Sequence, residues 1–343
     1  MSERTDVLFL AWTRTSGRSK EIAAALGGSA VCVFPARLSA RRLFALRYAY
    51  SGVVSVSQLI RQRPRALIAT NPPVFPGLIA YAYSAVAKVP YVLDSHPTSF
   101  GAKDHAVSQR LLFIHRWLAR RASATMVTTT DWVAIVESWG GKGIVTHEAP
   151  PLWSVAPLNG DANGVVLFVG VFASDEPVMA VIQAARLRPE LQVRVTGDLK
   201  RCPPDVLAGA PDNVHFVGYL GPEEYRVAIE QADVVVALTT EPTSIVRAGY
   251  EAVYARRPLV ISNWAPGIEA FPLAVASENV PEALAAAFDE ALSAGRRGSK
   301  ELETAREAQV MRWNSQLLAL IDALHLGPVH DVGDSPETIA VLS

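Results

Sequence analysis

The sequence contains little cysteine and almost no net charge. Its 343 residues include two cysteines, Cys32 and Cys202, which are far apart in the sequence. This scarcity argues against a disulfide-rich scaffold and a thiolate metal site, and it is typical of a reduced cytosolic protein. We expect the two cysteines to lie in different domains.

The sequence shows no segment typical of secretion or membrane insertion. Residues 1–12 lack the basic stretch, long apolar run and cleavage site of a signal peptide, and they read as the first strand of a sheet. The longest apolar stretch, Pro72 to Ala87, contains three prolines and stops at Lys88. It is short for a membrane span, so we interpret it as a buried helix.

Several motifs that would assign a chemistry are missing. No G-x-G-x-x-G follows the first strand, which removes the main support for a dinucleotide oxidoreductase. The seven histidines are scattered, and neither H-E-x-x-H nor D-x-D occurs. We therefore expect no cofactor and no metal site.

The net charge of -1 hides a division between the two parts of the chain. Residues 1–130 contain 17 Lys or Arg and 5 Asp or Glu, whereas residues 131–343 contain 15 and 28. A basic half attracts anionic lipid, nucleic acid or phosphorylated substrates, but it can also be a solvated arginine-rich surface. No nucleic-acid recognition motif accompanies the charge, so we expect no nucleic-acid partner.

Residues 35–65 combine basic and apolar side chains. A helix with this mixture can lie on an anionic membrane surface. Alternatively, its apolar side is core and its arginines are solvated. The apolar residues are Leu43, Phe44, Tyr48, Val53 and Leu59, and the basic residues are Arg37, Arg41, Arg42, Arg47, Arg61, Arg63 and Arg65.

Strand and helix patterns alternate twice along the chain, and half of the residues are hydrophobic, enough for two cores. This indicates an α/β protein of two Rossmann-like, doubly wound domains that face each other across a cleft. The predicted parts are an N-terminal domain (1–150), a linker (151–163), a C-terminal domain (164–305), a final helix (306–326) and a frayed tail (327–343).

The segment from Val234 to Asn263 is the most informative stretch, because it contains a strand, a polar turn, a helix and a second strand. In open α/β sheets the crevice at the carboxyl ends of the strands binds ligands, and free amides at a helix start favour phosphate. We predict that Thr243 or Ser244 caps a helix over residues 245–256. Glu251 then lies two turns further along the same face.

The order of segments resembles the GT-B glycosyltransferases, in particular the retaining group called family 4 (group 1), over most of the chain. In the second half, VVLFVG, LQVRVTGD, DNVHFVGYLGPEEYRVAIEQADVVVAL and YEAVYARRPLVIS resemble the donor domain of that family. In the first half, LARRASATMVTTTDWV resembles the stretch before the interdomain linker. The resemblance implies that the N-terminal domain is the acceptor side, that the C-terminal domain binds the donor, and that the final helix, which contains Trp313, crosses back onto the first domain.

The resemblance implies a nucleotide-sugar between the domains, with its diphosphate at the start of the helix after TTEPTS. Glu251 matches the second glutamate of an E-x7-E motif that binds the ribose, whereas Thr243 replaces the first glutamate. The motif is therefore degenerate. The donor-binding residues predicted in this way are Gly170, Lys200, Arg201, Thr243, Ser244, Ile245, Arg247 and Glu251.

A second departure from the family lies in the segment GVFASDEP. Family members usually have an arginine after the glycine and a lysine a few residues later, and these bind the diphosphate. Here the corresponding places fall on Val171 and the acidic neighbourhood of Asp175 and Glu176, which would repel a diphosphate. The compensating cation is then expected from Lys200, Arg201 or Arg247, which the resemblance does not rank.

The resemblance also suggests acceptor-side and catalytic residues in the first domain. Gly17 stands where the family has a glycine-containing loop after the first strand, and Arg14 and Ser16 flank it. His96 stands where the family has a histidine, and with Asp94 it is a candidate to orient a sugar hydroxyl or act as a general base. A local hydrogen-bonding role for His96 is the alternative.

These observations favour a hexosyltransferase of retaining type that moves a sugar from a nucleotide-sugar to a saccharide or lipid-linked acceptor. Cell-surface polysaccharide or glycolipid synthesis, with the enzyme in the cytoplasm or peripheral on the cytosolic membrane face, is the expected setting. Two alternatives stay open. A catalytically degenerate protein that binds an active transferase would bind nucleotide-sugar weakly, and a sugar-nucleotide epimerase would turn over donor alone.

Overall fold

The computed structural model describes residues 6–38, 40–101, 106–158 and 163–326. The chain divides into two compact units. The first comprises the residues up to Ala149 together with those from Trp313 onward, and the second runs from Pro150 to Arg312. Within the described residues each unit contains one six-stranded parallel sheet. This is the GT-B architecture of two Rossmann-like domains that the sequence predicts.

The first sheet has the strand order β2-β1-β3-β4-β5-β6. Its strands are β1 Val7–Ala11, β2 Ser29–Cys32, β3 Ala66–Asn71, β4 Tyr91–Ser95, β5 Ala124–Val127 and β6 Gly143–Val145. Its helices are α1 Gly17–Ala25, α2 Phe44–Gln62, α3 Phe75–Ala87, α4 Ala106–Ala119 and α5 Thr130–Ser138. Short 3-10 turns occupy Ala36–Leu38, Arg41–Leu43 and Pro97–Phe100.

Both faces of the first sheet are covered, because the central strands β1, β3, β4 and β5 are buried at every position. All five residues of β1 are buried, and Val7, Leu8 and Phe9 alternate between two clusters. Phe9 packs with α1 on one face, and Leu8 packs with Leu59 of α2 on the other. This burial on both faces is what a parallel sheet requires.

The second sheet has the order β12-β11-β10-β7-β8-β9. Its strands are β7 Val165–Phe168, β8 Gln192–Thr196, β9 Val214–Gly218, β10 Val234–Ala237, β11 Leu259–Ser262 and β12 Val275–Ser277. Its helices are α6 Val178–Arg186, α7 Pro204–Ala208, α8 Pro222–Gln231, α9 Arg247–Tyr254, α10 Ala265–Ala270 and α11 Pro281–Arg297. A 3-10 turn occupies Leu199–Arg201.

The final helix, α12, spans Ser299–Ala323 and belongs to both units. It begins seven residues before the predicted cross-over helix, which was placed at 306–326. Trp313, Leu317 and Leu320 are buried in the core of the first unit, and the second half of the helix therefore packs on that unit. The predicted tail, 327–343, lies outside the described residues.

The predicted linker, 151–163, contributes to the second unit. Val155 is buried in its core, and Trp153 packs against the same cluster. Residues 159–162 of this segment lie outside the described part of the chain. Cys32 lies in the first unit and Cys202 in the second, and both are free thiols.

Several elements differ from the sequence prediction. The short elements α7, α10 and β12 and the long helix α11 were not predicted. For α11 the sequence does contain a signal: Pro281 stands at the first position of the helix, and the buried Leu284 and Phe288 have helical spacing.

A buried histidine joins two helical segments to the first sheet. His115 of α4 is 0% exposed, its Nε2 lies 3.0 Å from Ser95 Oγ, and its Nδ1 lies 3.2 Å from the carbonyl oxygen of Ser99. The rings of Phe100 and Trp139 each lie 5.0 Å from it. Burial lowers the pKa of His115 to about 4.

We predict that His115 makes the protein sensitive to mild acid. Because its pKa is lower in the folded protein, the unfolded chain takes up the proton first as the pH falls. The free energy of unfolding should therefore decrease by up to about 3 kcal/mol between pH 6.5 and 4. Urea unfolding across this range should show a shallower pH dependence for His115→Gln than for the wild type. The exposed His215→Gln variant should keep the wild-type slope.

Candidate functional site

The second sheet has its topological switch point between β7 and β10. From β7 the chain proceeds to β8 on one side, and it later returns on the other side through β10. Ligands of open α/β sheets bind outside the carboxyl ends of the strands at such a point. Two loops begin here, residues 169–177 after β7 and residues 238–246 after β10.

Hydrogen bonds join these two loops. The backbone N–H of Thr240 donates to the carbonyl oxygen of Asp175 at 2.7 Å, and Thr239 Oγ1 donates to Asp175 Oδ2 at 3.1 Å. Thr239 is fixed from the other side as well. Its N–H donates to Ser262 Oγ, and its carbonyl oxygen accepts from Trp264 Nε1 and Asn279 Nδ2. Hydrogen bonds at the switch point therefore join the segments at the ends of four strands, β7, β10, β11 and β12.

Glu176 is hydrogen-bonded to the loop that contains it. Its carboxylate accepts from the N–H of Val171 at 3.0 Å and from that of Ala173 at 3.2 Å. Burial raises the pKa of Glu176, and the backbone N–H groups of Val171, Ala173 and Phe172 offset part of this effect. Both acidic residues of GVFASDEP are thus half-buried and accept hydrogen bonds from the protein.

The helix after TTEPTS begins later than predicted. Its N-cap is Val246, which is extended and forms no side-chain cap, so the prediction that Thr243 or Ser244 caps this helix is wrong. Ile245 and Val246 pack against the core of the second unit, which keeps the chain extended before the first turn. The helix also ends two residues early, because Arg256 adopts a left-handed conformation (φ 55°).

Glu251 is a buried carboxylate on α9 whose two oxygens have separate partners. Arg247 Nε donates to Oε1 at 2.8 Å, and the Tyr225 hydroxyl donates to Oε2 at 2.5 Å. Helices α8 and α9 therefore fix its orientation. An oxygen pair fixed in this way keeps further lone pairs for the two hydroxyl groups of a diol.

The three cations predicted to replace the family's diphosphate ligands occupy different surroundings. Arg247 is bound to Glu251. Lys200 and Arg201 are exposed and lie in the turn after β8, where the Asp198 carboxylate caps the turn by accepting from the N–H of Lys200. Because β8 neighbours β7, both cations follow the adjacent strand at the same edge of the sheet.

The first unit contains a buried charge cluster centred on Arg18 of α1. Its guanidinium donates to Asp94 at 3.0 and 3.1 Å and to Glu148 at 2.9 Å, and it also donates to the carbonyl oxygens of Thr146 and His147. Burial alone would lower the pKa of Arg18, but the two carboxylates outweigh it and raise the pKa. One cation thus links α1, the end of β4 and the segment after β6.

Asp94 and His96, the predicted catalytic pair, lie close together but differ in exposure. His96 Nε2 is 3.6 Å from Asp94 Oδ2, and the side chain of His96 is 44% exposed whereas that of Asp94 is 3% exposed. Burial would raise the pKa of Asp94, but Arg18 and His96 hold it below its ordinary value. A carboxylate that stays ionised in this way is a poor general base and is better suited to orienting His96.

The predicted acceptor-side residues lie around the start of α1. Ser16 is the N-cap of the helix, and its Oγ accepts a hydrogen bond from the N–H of Ser19. Gly17 is the exposed first helical residue. The guanidinium of Arg14 is exposed and lies 4.9 Å from the centre of the Phe34 ring.

Among the described residues, no group of three or more His, Cys, Asp or Glu side chains is placed to hold a metal ion. None of the helices there is long and apolar enough to span a membrane.

The family comparison covers both units. Residues 3–151 match the family described as "Glycosyl transferase 4-like domain", and residues 163–294 match "Glycosyl transferases group 1". The protein is thus of the glycosyltransferase class. The chain belongs to the group 1, family 4 glycosyltransferases of GT-B fold. No curated protein matches the sequence.

Solved structures share the fold at low sequence identity. HepE of Anabaena, in a crystal structure that contains UDP and glucose, is 15% identical with a TM-score of 0.68 over 94% of this chain and 100% of its own. Sucrose-phosphate synthase of Thermosynechococcus elongatus is 14% identical with a TM-score of 0.69 over 93% and 98%. A glycosyltransferase of Rickettsia africae is 11% identical with a TM-score of 0.58 over 93% and 97%.

Sequence reasoning missed the residues that hold the predicted ones in place. Arg18 and Glu148 in the first unit and Tyr225 in the second were not singled out. Arg18 directly follows Gly17 and is a charged residue at the start of a helix after a buried strand, which was a usable signal. The hydroxyl of Tyr225 has no such signal, because its partner lies 26 positions away on another helix.

We predict that removing the charge of Arg18 strongly destabilises the first unit. Arg18→Met leaves Asp94 and Glu148 buried without their cation, a change that typically costs about 3–5 kcal/mol. Denaturant unfolding checks this value. The control is Arg65→Met, which breaks an exposed ion pair with Asp6 and should cost less than about 1 kcal/mol. Equal effects of the two variants would contradict the assignment of Arg18 as a buried structural cation.

Proposed function

We propose that the protein transfers a hexosyl group from a nucleotide-sugar donor to a saccharide or lipid-linked acceptor with retention at the anomeric carbon. The donor binds at the carboxyl edge of the second sheet. The observation that carries this proposal is the meeting of the two loops after β7 and β10 at the switch point, with Glu251 fixed on the adjoining helix. Membership of the glycosyltransferase family and the UDP and glucose bound by HepE support it.

The residues present suit a reaction driven by positioning and electrostatics. Glu251 accepts the ribose hydroxyls, while loop amides and Lys200 or Arg201 stabilise negative charge on the leaving diphosphate. Hydrogen bonds of this kind act most strongly as charge develops in the transition state. In the first unit the exposed His96 orients an acceptor hydroxyl, and Asp94 and Arg18 fix the position of His96.

A second candidate function is supported by the occupied carboxylates of the second unit. Glu176 fills the loop after β7, and Glu251 is paired with Arg247 and Tyr225. These contacts suit a degenerate family member that binds an active transferase without donating a sugar itself. Such a protein would bind nucleotide-sugars weakly and would co-purify with its partner.

Helix α2 supports a role at an anionic membrane surface. Its outward face is apolar, with Leu46 55%, Val53 71% and Ile60 63% exposed, whereas its buried face includes Ser51 and Ser55. This arrangement reverses the usual distribution on a surface helix, in which the polar residues face the solvent. An exposed apolar stripe of this kind indicates an interaction site.

The charge around α2 specifies the kind of surface that it would meet. No Asp or Glu occurs between Glu21 and Asp94, and Arg42, Arg61 and Arg63 are exposed at the two ends of the helix. Apolar side chains enter the interface of a bilayer while arginines pair with anionic headgroups. We therefore place α2 on the membrane that carries a lipid-linked acceptor, in glycolipid or cell-surface polysaccharide synthesis.

The donor site predicts that Glu251→Gln weakens nucleotide-sugar binding by about tenfold, because the amide loses a charged acceptor for the ribose hydroxyls. Isothermal titration with uridine, guanosine and thymidine diphosphate sugars measures the change. Glu190→Gln is a matched control, because Glu190 is exposed just before β8 at the opposite edge of the sheet. If none of these sugars binds the wild type, the transferase proposal fails and the degenerate candidate gains support.

The membrane proposal predicts that Leu46→Glu with Val53→Glu weakens binding to vesicles containing phosphatidylglycerol by at least about tenfold. Two apolar side chains are lost from the interface and two negative charges are added. Vesicle co-sedimentation at low and high salt measures both contributions. Leu318→Glu is the control, because Leu318 is 55% exposed on α12, which packs on the opposite face of the first sheet. Unchanged binding of the double variant would reject α2 as the contact.

A further inference from the structure

The loop after β7 binds an anion that belongs to the protein itself. The N–H groups of Val171 and Ala173 donate to the carboxylate of Glu176, and the N–H of Phe172 also stabilises its charge. Successive backbone N–H groups that converge in this way form a concave anion site, or nest. We call the amides of residues 171–173 the amide nest.

The shape of the amide nest is built into the core of the second unit. Phe172 has a left-handed backbone (φ 57°), a conformation that an aromatic residue adopts only at an energetic cost. Its ring is buried against Gly197 and Phe216, and a Cβ on Gly197 would lie only 2.6 Å from that ring. Burial of the ring offsets the backbone cost, so the nest is present whichever anion it holds.

Space for the Glu176 carboxylate is also built in. Gly170 is buried, and a Cβ at this position would approach Glu176 Oε2 to 2.7 Å. Thr196 at the end of β8 holds Gly170 in place, because its Oγ1 accepts from the N–H of Gly170 and donates to the carbonyl oxygen of the same residue. The position of the carboxylate is therefore defined by Gly170, which leaves room for it, and by the hydrogen bonds that join Gly170 to Thr196.

This position coincides with the switch point of the sheet. The nest begins three residues after Phe168, the last residue of β7, and Asp175 in the same loop is bonded to Thr239 and Thr240 after β10. A phosphate group and a carboxylate compete for the same donors, since both are anions with several acceptor oxygens. Only one of them can occupy three converging N–H groups.

We propose that Glu176 is an internal competitor for the amide nest and that a donor phosphate must displace its carboxylate in order to bind there. The identity of the incoming anion rests on the proposed function, whereas the competition itself does not. Glu176 then sets the affinity and the specificity of the site: it excludes weakly bound anions and admits a diphosphate, whose two negative charges gain more from the same N–H groups than one carboxylate does. Asp175 stays with Thr239 and keeps the two loops joined.

The test is a titration of inorganic pyrophosphate into wild type, Glu176→Gln, Glu176→Ala and the control Glu190→Gln. We expect both Glu176 variants to bind pyrophosphate at least about tenfold more tightly than the wild type, since the competing charge is gone. Amide NMR signals of residues 171–173 should shift on binding. Glu190→Gln makes the same charge change at the opposite edge of the sheet and should match the wild type.

Other outcomes separate this inference from the proposed function. Equal pyrophosphate affinities for wild type and both Glu176 variants, or tighter binding without shifts at residues 171–173, overturn the inference. Thermal unfolding of the unliganded variants shows whether each is folded. Glu176→Ala is included because the glutamine side chain of Glu176→Gln can still accept hydrogen bonds from the N–H groups of residues 171–173. If the nest signals shift with pyrophosphate but no nucleotide-sugar binds, the inference stands and the proposed function fails.

Discussion

Both sheets of this protein are parallel and covered on both faces, and this constraint decides where chemistry is possible. A side chain that points from the middle of β1 or β7 enters a core cluster and finds no solvent. Polar and charged groups with a function are therefore confined to the strand ends and to the first turns of the following helices. The charge cluster of the first unit and the loops of the second unit lie at such ends.

The carboxylates at these strand ends are held by contacts within their own unit. Asp94 and Glu148 share Arg18, Glu251 is held between Arg247 and Tyr225, and Glu176 occupies the amide nest. Burying a carboxylate without a partner lowers the free energy of unfolding by several kcal/mol. Each of these carboxylates accepts hydrogen bonds from the backbone or from a neighbouring side chain, which offsets this cost. The same donors fix orientation, which is what a site that works by positioning requires.

Helix α2, which lies outside the sheets, buries serines and exposes apolar side chains, the reverse of the usual distribution on a surface helix. Its serines face inward because Ser55 Oγ accepts from Trp12 Nε1 at 2.9 Å, and Trp12 itself packs against Tyr48 and Phe75 at the end of β1. Because the aromatic cluster and the serines occupy the inner face of α2, many of its apolar side chains are exposed to solvent on the outer face. Of the two alternatives for residues 35–65, core packing describes the inner face of α2, and the membrane proposal concerns only its exposed apolar face.

The sequence by itself determined the fold class and family, because apolar strand runs and amphipathic helices alternate in an order that few architectures accommodate. It also placed Asp94 and His96 at a strand end and Glu251 on the helix after β10, since strands and helices can be located from local pattern. Tertiary structure alone decided what those residues touch. Arg18 meets Glu148 across 130 positions, and Ile245 and Val246 delay the start of α9 because they pack against a core assembled from distant segments. Local pattern specifies which element a residue belongs to, but its partners depend on how distant segments come together.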